Sequence, residues 1–345
     1  MNNSESNKSR CRIVVDAMGG DFAPQNSVVG AIEAYNLSKD FDLYLVGKEN
    51  EILRVISENN LLFDKNFIIN ADEVIEMGET PTTALKKKQN SSIVVGANLV
   101  KEKKADAFVS AGNTGAVMAA STLIIGRIPG VGRPTIGAYM PNQAGVCTVF
   151  DVGASVDSKP KHLQEYAVIG TIYAREMFGI ENPTVGILSV GEEESKGNEV
   201  TLAAAELIKK TKLNFIGNVE GRDILKGTAN VIVCDGFVGN ILIKFGESVI
   251  PFLKFKFKEY ADKSFFNKLK IALVRSTLRE ILKDFDYQEH GGVPLLGING
   301  ISIIGHGASS VKAIRNMVLK ANEMHHKQLI RKIETSIQKY SNLSD

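Results

Sequence analysis

The chain has 345 residues, of which 44% are hydrophobic and 23% charged, and its 41 basic and 39 acidic side chains give a formal net charge of +2. A disordered chain would have fewer apolar residues and a larger net charge, and 31 glycines and 9 prolines without a period exclude a collagen-like or low-complexity protein. The composition therefore indicates a folded globular protein, long enough for one or two domains.

The three cysteines, Cys11, Cys147 and Cys234, form no closely spaced pair. This argues against a disulfide framework or a zinc site and indicates a reducing compartment. Residues 1–11 lack the apolar core of a signal peptide and are expected to form a disordered leader. Charged residues interrupt every apolar run before it reaches the roughly 18 residues of a spanning helix. We therefore expect a cytoplasmic protein that does not cross a membrane but is able to lie on one.

A short pattern recurs along the chain: a run of β-branched apolar residues, a Gly-rich turn, and then apolar residues at helical spacing. It occurs five times, with the turns at 17–24, 111–115, 191–198, 236–240 and 305–310. Strands that alternate with helices favour a mostly parallel sheet covered by helices, so the sequence predicts an α/β/α sandwich. In such sheets ligands bind at the carboxyl ends of the strands, where all five turns are expected to share one cleft.

No Pro- or Ser-rich linker divides the chain. We expect residues 12–330 to form one catalytic domain, followed by the end of a C-terminal helix and a tail at 331–345.

The segment at about 251–285 differs from the rest in composition. Between 251 and 283 it has nine Lys or Arg residues against three acids, and it is rich in Phe and Leu. Such a segment is typical of an amphipathic helix on a membrane or of a surface for an acidic partner. A helical pair packed on a second copy of the chain, with its lysines in solvent, explains it equally well. The side chains predicted to contact a membrane are Phe252, Phe255, Phe265, Phe266, Leu269 and Leu273.

Several familiar sites are absent from the sequence. There is no GxxxxGK[ST] phosphate loop, no GxSxG nucleophile motif, no HExxH zinc motif and no GxGxxG after the first strand. Of the five histidines only the pair His325 and His326 is closely spaced, and in a charged C-terminal helix it is expected to be solvated surface. We therefore expect neither a metal nor a cofactor.

The Gly-rich turns bring backbone N–H groups to helix N-termini, an arrangement that binds phosphate. Each turn alone is also explained by a tight chain reversal. Lys196 follows three glutamates, and it either neutralises an anion or pairs with one of them. Asn240 either donates a hydrogen bond into the cleft or caps a helix. Asp16 and Asp235 each follow an apolar strand, where an aspartate either orients a ligand or caps a turn.

Several motifs, in this order along the chain, resemble the bacterial phosphate acyltransferase family of phospholipid synthesis, the PlsX type. They are DAMGGD at 16–21, SAGNTGA at 110–116, DVGA at 151–154, GEE and KGNE within 191–199, GNVEG at 217–221, CDGFVGN at 234–240, GG and PLLG within 291–297, and His306-Gly307 with Ser309. The likeness covers about residues 12–320. Ser155 and Val190 depart from the family pattern.

The resemblance implies transfer of a fatty acyl group from the thioester of acyl carrier protein to inorganic phosphate, which gives acyl phosphate for phosphatidic acid synthesis. It implies a Rossmann-like fold akin to phosphate acetyltransferases and isocitrate or isopropylmalate dehydrogenases. It also implies a homodimer, reversible contact with the inner face of the cell membrane, and a glycerol-3-phosphate acyltransferase as a downstream partner. No nucleic acid is expected.

By motif position Lys196 and Asn240 are expected to be catalytic. The residues expected to bind phosphate or the rest of the substrate are Asp16, Gly19, Gly20, Asp21, Gly112, Asn113, Thr114, Gly115, Asn198, Asp235, His306, Gly307 and Ser309. Phosphate is already an anion at neutral pH, so no covalent acyl-enzyme is expected. The alternatives are another acyltransferase of the phosphate acetyltransferase type and a non-catalytic phosphate- or lipid-binding module.

Overall fold

The computed structural model describes residues 10–283, 289 and 291–341. Most of the expected leader, the last four residues of the expected tail, and residues 284 and 285 of the basic segment lie outside the described residues.

The described part of the chain contains eleven β-strands and twelve α-helices. The strands are β1 (Cys11–Asp16), β2 (Phe41–Gly47), β3 (Ile68–Asn70), β4 (Ala107–Ser110), β5 (Thr135–Asn142), β6 (Gly145–Phe150), β7 (Thr184–Leu188), β8 (Asn214–Val219), β9 (Val231–Val233), β10 (Val293–Leu296) and β11 (Ile301–Ile304). The helices are α1 (Gln25–Leu37), α2 (Glu49–Glu58), α3 (Pro81–Lys87), α4 (Ser92–Lys101), α5 (Thr114–Ala120), α6 (Pro160–Phe178), α7 (Glu199–Lys209), α8 (Gly221–Lys226), α9 (Gly236–Asp262), α10 (Phe265–Ile281), α11 (Val311–His326) and α12 (Leu329–Ser341). A π-helical turn (Ser121–Ile125) continues α5, and a 3₁₀ turn (Lys65–Phe67) precedes β3.

The chain forms two compact units. Unit 1 comprises Met1–Pro134, Arg175–Glu181 and His290–Asp345 as far as they are described, and unit 2 comprises Thr135–Ala174 and Asn182–Glu289. In unit 1 the strands pair in the order β3-β2-β1-β4-β11-β10, and every pair is parallel except β10 with β11. In unit 2 the order is β5-β6-β9-β7-β8, and only β5 with β6 is antiparallel. The predicted mixed α/β fold with mostly parallel strands is confirmed. The expected single catalytic domain stays a prediction.

Burial explains why the central strands have continuous apolar sequences. β1, β4 and β9 are buried over nearly their whole length. In unit 1, α11 packs against β1, β4 and β11, and α4 packs against β1, β2 and β4. Strands covered in this way lose the alternation of polar and apolar residues that marks a half-exposed sheet.

The basic segment forms the outer part of α9 together with α10, which packs beside it. The helix begins earlier than its composition suggested, because Asp235 accepts hydrogen bonds from the N–H groups of Phe237 and Val238 and so starts α9 at the Gly-rich turn. Pro251 lies inside the helix without ending it. Among the described residues α9 is also the single helix long and apolar enough, by length and composition, to cross a membrane. Its apolar window has a mean hydropathy of 1.3 and is 11% buried.

Candidate active site

Three of the predicted turns lie together in unit 1. They follow β1, β4 and β11, which are parallel neighbours, so all three turns emerge at the same edge of the sheet. The backbone joins them directly: Gly305 N donates to Ser110 O at 2.8 Å, and Asp21 N donates to Gly307 O at 2.8 Å. The structure therefore brings the turns at 17–24, 111–115 and 305–310 into one site.

Asp16 organises this edge from below the surface. Its side chain is buried, and it accepts hydrogen bonds from Ser110 Oγ at 2.6 Å and from Met18 N at 3.0 Å. Burial raises the pKa of Asp16 above its ordinary value, although the hydrogen bonds oppose that rise. Ser110 Oγ in turn accepts from Gly112 N at 3.0 Å. The carboxylate thus shapes two turns, and its predicted contact with substrate stays a prediction.

Two glycines in the first turn are required by close contacts. A Cβ at Gly19 would lie 2.4 Å from Asp16 Oδ2 and 2.7 Å from Gly112 N. Gly20 has φ +111°, and a Cβ there would lie 3.1 Å from Gly307 O. Larger residues would separate the turns, so the backbones themselves form this surface.

The polar side chains of the other two turns divide into structural and exposed ones. Asn113 caps α5 by accepting from Ala116 N at 3.0 Å, and Ser309 is buried and donates to His306 O at 2.6 Å. Thr114 and His306 are exposed, as is Asp21 in the first turn. These three side chains are the ones placed to meet a ligand, and Gly115 lies beside Thr114. The binding roles of all of them stay predictions.

Unit 2 gathers a second set of turns. They follow β6, β9 and β7, which are parallel neighbours in that order. Asp151, the first residue after β6, is completely buried and accepts from Ser155 N at 2.7 Å, Ile136 N at 3.0 Å and Ala154 N at 3.1 Å. Burial raises the pKa of Asp151. Sequence reasoning did not place Asp151 among the site residues, although it follows an apolar strand as Asp16 does. The cleft expected to be shared by all the turns stays a prediction.

Asn240 is the fifth residue of α9, and it lies close to residues 151–155 after β6, here called the Asp151 loop. Gly236 and Gly239 are buried, and a Cβ on Gly239 would lie 1.9 Å from Asp151 O. A Cβ at Gly153 would lie 3.4 Å from Asn240 Oδ1, so the half-buried amide of Asn240 sits over this loop. Asp235 caps the helix, which is the structural alternative left open from the sequence.

Lys196 lies in the exposed turn after β7. The neighbouring glutamates pair with other cations: Glu192 with Arg222 at 3.2 Å and Glu194 with Lys209 at 3.3 Å. Among the residues that the structure describes, no carboxylate lies within ion-pair distance of Lys196 Nζ. The pairing that the sequence offered as the alternative is therefore not found there.

The turn that carries Lys196 is well held. Asn218 Nδ2 donates to Lys196 O at 3.0 Å, and Ser189 Oγ donates to the same oxygen at 3.1 Å. Asn198 caps α7 by accepting from Thr201 N at 2.9 Å. The backbone of this turn is thus fixed by hydrogen bonds, and the predicted catalytic role of Lys196 stays a prediction. Cys234 directly follows β9 and lies beside Asp151. It is buried, and burial raises the pKa of its thiol, which is typical of a core cysteine.

Within the described part of the chain, two groups of side chains have metal-ligand atoms within 4.8 Å of one another: Cys11, Asp106 and His325, and Glu192, Glu220 and Asp223. In both groups arginines already neutralise carboxylates. Arg12 binds Asp106 through two nitrogens at 2.9 and 3.0 Å, and Arg222 pairs with both Glu192 and Glu220. A divalent cation would have to compete with these guanidinium groups.

Comparison with known proteins decides the family. A model of the family described as "Fatty acid synthesis protein" matches residues 11–332. Proteins named phosphate acyltransferase from Halothermothrix orenii and Chlorobaculum parvum are 44% and 48% identical over 330 and 322 residues, which cover 95% and 90% of this chain and 99% and 94% of those proteins. The chain belongs to the phosphate acyltransferase family. It is an acyltransferase, as the resemblance of its sequence motifs implied, and the matching family model assigns it to fatty acid synthesis.

Solved structures agree on the fold of this phosphate acyltransferase family member. A phosphotransacetylase from Streptococcus pyogenes has a TM-score of 0.61 at 18% identity and covers 93% of this chain and 94% of its own. A 4-hydroxythreonine-4-phosphate dehydrogenase from Klebsiella pneumoniae has a TM-score of 0.51 at 13% identity, with 92% and 100% covered. At these identities the likeness shows the fold alone, and it confirms the expected fold class.

The side chains predicted to contact a membrane are all exposed. Phe252 and Phe255 on α9 and Phe265, Phe266, Leu269 and Leu273 on α10 have between 52% and 77% of their surface accessible. The exposed apolar face of α9 also includes Phe237, three residues before Asn240, and Ile241, directly after it. Apolar surface therefore extends from the candidate active site along the helix.

Proposed function

We propose that this acyltransferase transfers a fatty acyl group from the thioester of acyl carrier protein to inorganic phosphate, with Lys196 and Asn240 at its polar centre. The observation that carries the proposal is the ammonium group of Lys196. It stands without a carboxylate partner among the described residues, at the same sheet edge as Asn240 and one strand away.

The chemistry needs no covalent enzyme intermediate. An oxygen of hydrogen phosphate forms a bond to the thioester carbon, the carbon–sulfur bond breaks, and the phosphate proton ends on the released thiol. The products are acyl phosphate and free thiol. The tetrahedral intermediate carries a negative oxygen, which a lysine ammonium and an asparagine amide are suited to stabilise.

The turns of unit 1 support the phosphate part of the proposal. Their backbones approach one another closely at Gly19, Gly20 and Gly307, and main-chain N–H groups of such turns are suited to bind an anion. The exposed carboxylate of Asp21 lies beside Gly307 and would border that anion. Asp16 is buried beneath them and already hydrogen-bonded, so it does not present its charge to the anion.

The exposed face of α9 and α10 supports a role at the membrane. It combines exposed Phe and Leu side chains with exposed lysines at 254, 256 and 258, a pattern that binds anionic lipid. Because the first turn of α9 is packed on the Asp151 loop and the middle of the helix carries Lys244 and Glu247, a helix lying on the surface fits better than a spanning one.

We place the protein in the cytoplasm, in reversible contact with the inner face of the cell membrane. We further propose that it works as a homodimer and passes acyl phosphate to a glycerol-3-phosphate acyltransferase. These parts of the proposal rest on the family resemblance and on the exposed apolar surface.

The first experiment measures acyl transfer by the purified full chain. With acyl carrier protein thioester and phosphate, Lys196→Ala and Asn240→Ala are each expected to lower kcat by about 100-fold, the typical cost of losing one oxyanion donor. Lys212→Ala, an exposed lysine in the same unit, is the control and should retain wild-type activity. Unchanged kcat in Lys196→Ala would refute its role, and turnover of coenzyme A thioesters alone would favour a phosphate acetyltransferase type of reaction.

A second experiment tests the membrane face. The wild type is expected to float with vesicles that contain anionic phospholipid. The double variant Phe265→Asp/Leu269→Asp is expected to stay in the dense fraction. Leu62→Asp, at an even more exposed position in unit 1, is the control and should still float with the vesicles. Flotation of the double variant at the wild-type level would count against membrane contact by α10.

A further inference from the structure

Residues 73–80, here called the strap, connect β3 to α3 and cross the turns of unit 1. At one end Glu73 N donates to Asn90 O at 3.2 Å, and Ile75 is buried. At the other end Thr80 precedes α3, whose first residue, Pro81, packs on the second turn: a Cβ at Gly115 would lie 2.5 Å from Pro81 Cγ. The function described so far makes no use of this segment.

The ammonium group of Lys88 binds two points of the strap. Lys88 Nζ donates to Val74 O at 2.6 Å and pairs with the carboxylate of Glu79. Glu79 accepts a further hydrogen bond from Glu76 N at 2.8 Å. The hydrogen bond from Lys88 keeps the pKa of Glu79 below its ordinary value. The two ends of the strap are thereby tied together through one side chain.

Asn113 fastens the strap to the turn after β4. Its Nδ2 lies 3.0 to 3.1 Å from the carbonyl oxygens of Glu76, Met77 and Glu79. Its Oδ1 is taken by Ala116 N. The amide of Asn113 is therefore engaged on both sides, and it positions the strap instead of reaching a ligand.

The strap in turn places Met77 on the third turn. A Cβ at Gly307 would lie 3.0 Å from Met77 Cε and 2.8 Å from Asp21 Oδ1. The Met77 side chain is 47% exposed, so one side rests on Gly307 and the other faces solvent. Gly307 is also the residue whose carbonyl accepts the hydrogen bond from Asp21 N. Apolar surface thus covers the place where the first and third turns meet.

We propose that Met77 is a specificity-determining residue that favours phosphate over water as the acyl acceptor, with Lys88 and Asn113 as the positioning residues that hold it. The inference rests on the proposed function. Transfer to water would convert the same thioester into a carboxylate, a thiol and a proton. Water is far more abundant than phosphate in a cell, so a phosphate-using site has to exclude it, and a flexible apolar side chain beside the turns does so.

The test compares two products of one reaction. The purified full chain is incubated with palmitoyl-acyl carrier protein and inorganic phosphate, and initial rates of thiol release and of acyl phosphate formation are followed, the latter by phosphorus NMR. The wild type should form one acyl phosphate per thiol. In Met77→Ala the fraction of thiol released without acyl phosphate should rise at least about fivefold as water enters the site. Met77→Leu should restore the wild-type ratio.

The other variants separate positioning from mere folding. Lys88→Met and Asn113→Asp should raise the same hydrolysed fraction, whereas a purely structural loss would lower both rates together and leave their ratio unchanged. Leu123→Ala, an exposed apolar residue elsewhere in unit 1, should keep the wild-type ratio. If Met77→Ala fails to fold, Met77→Gln is measured instead, and the same excess of thiol is expected.

Two negative results have different meanings. If the wild type makes acyl phosphate and Met77→Ala keeps its one-to-one ratio, the role of Met77 is overturned and the proposed function stands. If the wild type releases thiol but makes no acyl phosphate, the proposed function itself fails.

Discussion

Replacing Gly239 by alanine is a direct test of how α9 positions Asn240. The new Cβ would lie 1.9 Å from Asp151 O and 3.0 Å from Cys234 Sγ. Because Cβ contacts under 3.0 Å essentially do not occur, the first turn of α9 and the Asp151 loop must separate by at least about 1.1 Å. The contact is with backbone, so no side-chain rotation relieves it.

The size of that movement sets the expected loss. A misplacement of about 1 Å costs roughly 100-fold in rate when the displaced group is catalytic, and Asn240 directly follows the substituted residue. Overpacking of a buried contact lowers the free energy of unfolding by about 1–3 kcal/mol. Gly239→Ala should therefore fold, lose stability measurably by urea denaturation, and transfer acyl groups about 100-fold more slowly than the wild type.

Gly246→Ala in the same helix provides the matched control. The nearest atom to its new Cβ is Met140 Cε at 3.9 Å, so no clash arises. Alanine in place of glycine inside a helix should raise the free energy of unfolding by about 0.5–1 kcal/mol and leave acyl transfer unchanged. If Gly239→Ala folds and keeps its activity within about threefold of the wild type, the close approach does not position Asn240.

Substitutions at three further positions test hydrogen bonds and buried charges. Ser110→Ala should lower the free energy of unfolding by about 2–3 kcal/mol in urea, because buried Asp16 loses a charge-assisted hydrogen bond. Burial raises the pKa of Asp16 above 3.8 in the folded protein. The contribution of Asp16 to the free energy of unfolding is therefore greatest at low pH and falls as pH rises through the folded pKa. Because the hydrogen bond from Ser110 opposes the rise in pKa, Ser110→Ala should extend that fall to higher pH. Burial lowers the pKa of Lys320 from 10.5 to about 8, so wild-type stability should rise relative to Lys320→Met as pH increases from 8 to 10.5 in thermal denaturation. Asp235→Ala should cost about 1 kcal/mol through loss of the α9 cap, and Asp235→Ser should restore both stability and acyl transfer if capping is its whole role.

The recurring strand–turn–helix pattern of the sequence predicted the strands that position the site. It did not predict strands that lack part of this pattern. β1, β4, β7, β9 and β11 were predicted because each is an apolar run followed by a Gly-rich turn and a helix. β5 and β10 lack the helix, because each runs directly into its antiparallel partner, β6 or β11, and antiparallel neighbours need no helical crossover. The true length of α9 was also missed, because the change in composition at Pro251 suggested a boundary in a helix that continues through it.

At the candidate site, residue type alone did not separate helix caps from ligands. Asn113, Asn198 and Asp235 all accept backbone N–H hydrogen bonds at helix starts, which is also where an anion would be bound. The state of Lys196 was equally hidden, since the cations that neutralise Glu192 and Glu194 lie at positions 222 and 209. Such pairings arise from tertiary structure and leave no local signal in the sequence.

Helix α9 sets a fixed distance between Asn240 near its start and the exposed apolar residues of its outer turns. Its 27 residues correspond to about 40 Å, and the 15 steps from Asn240 to Phe255 to about 22 Å. In the membrane-bound state proposed above, the outer turns of α9 touch lipid, and the helix holds that surface at a set height from Asn240. Removing four residues between these points would shorten that height by about 6 Å. In that state the distance between the lipid surface and Asn240 depends on helix length rather than on any single contact.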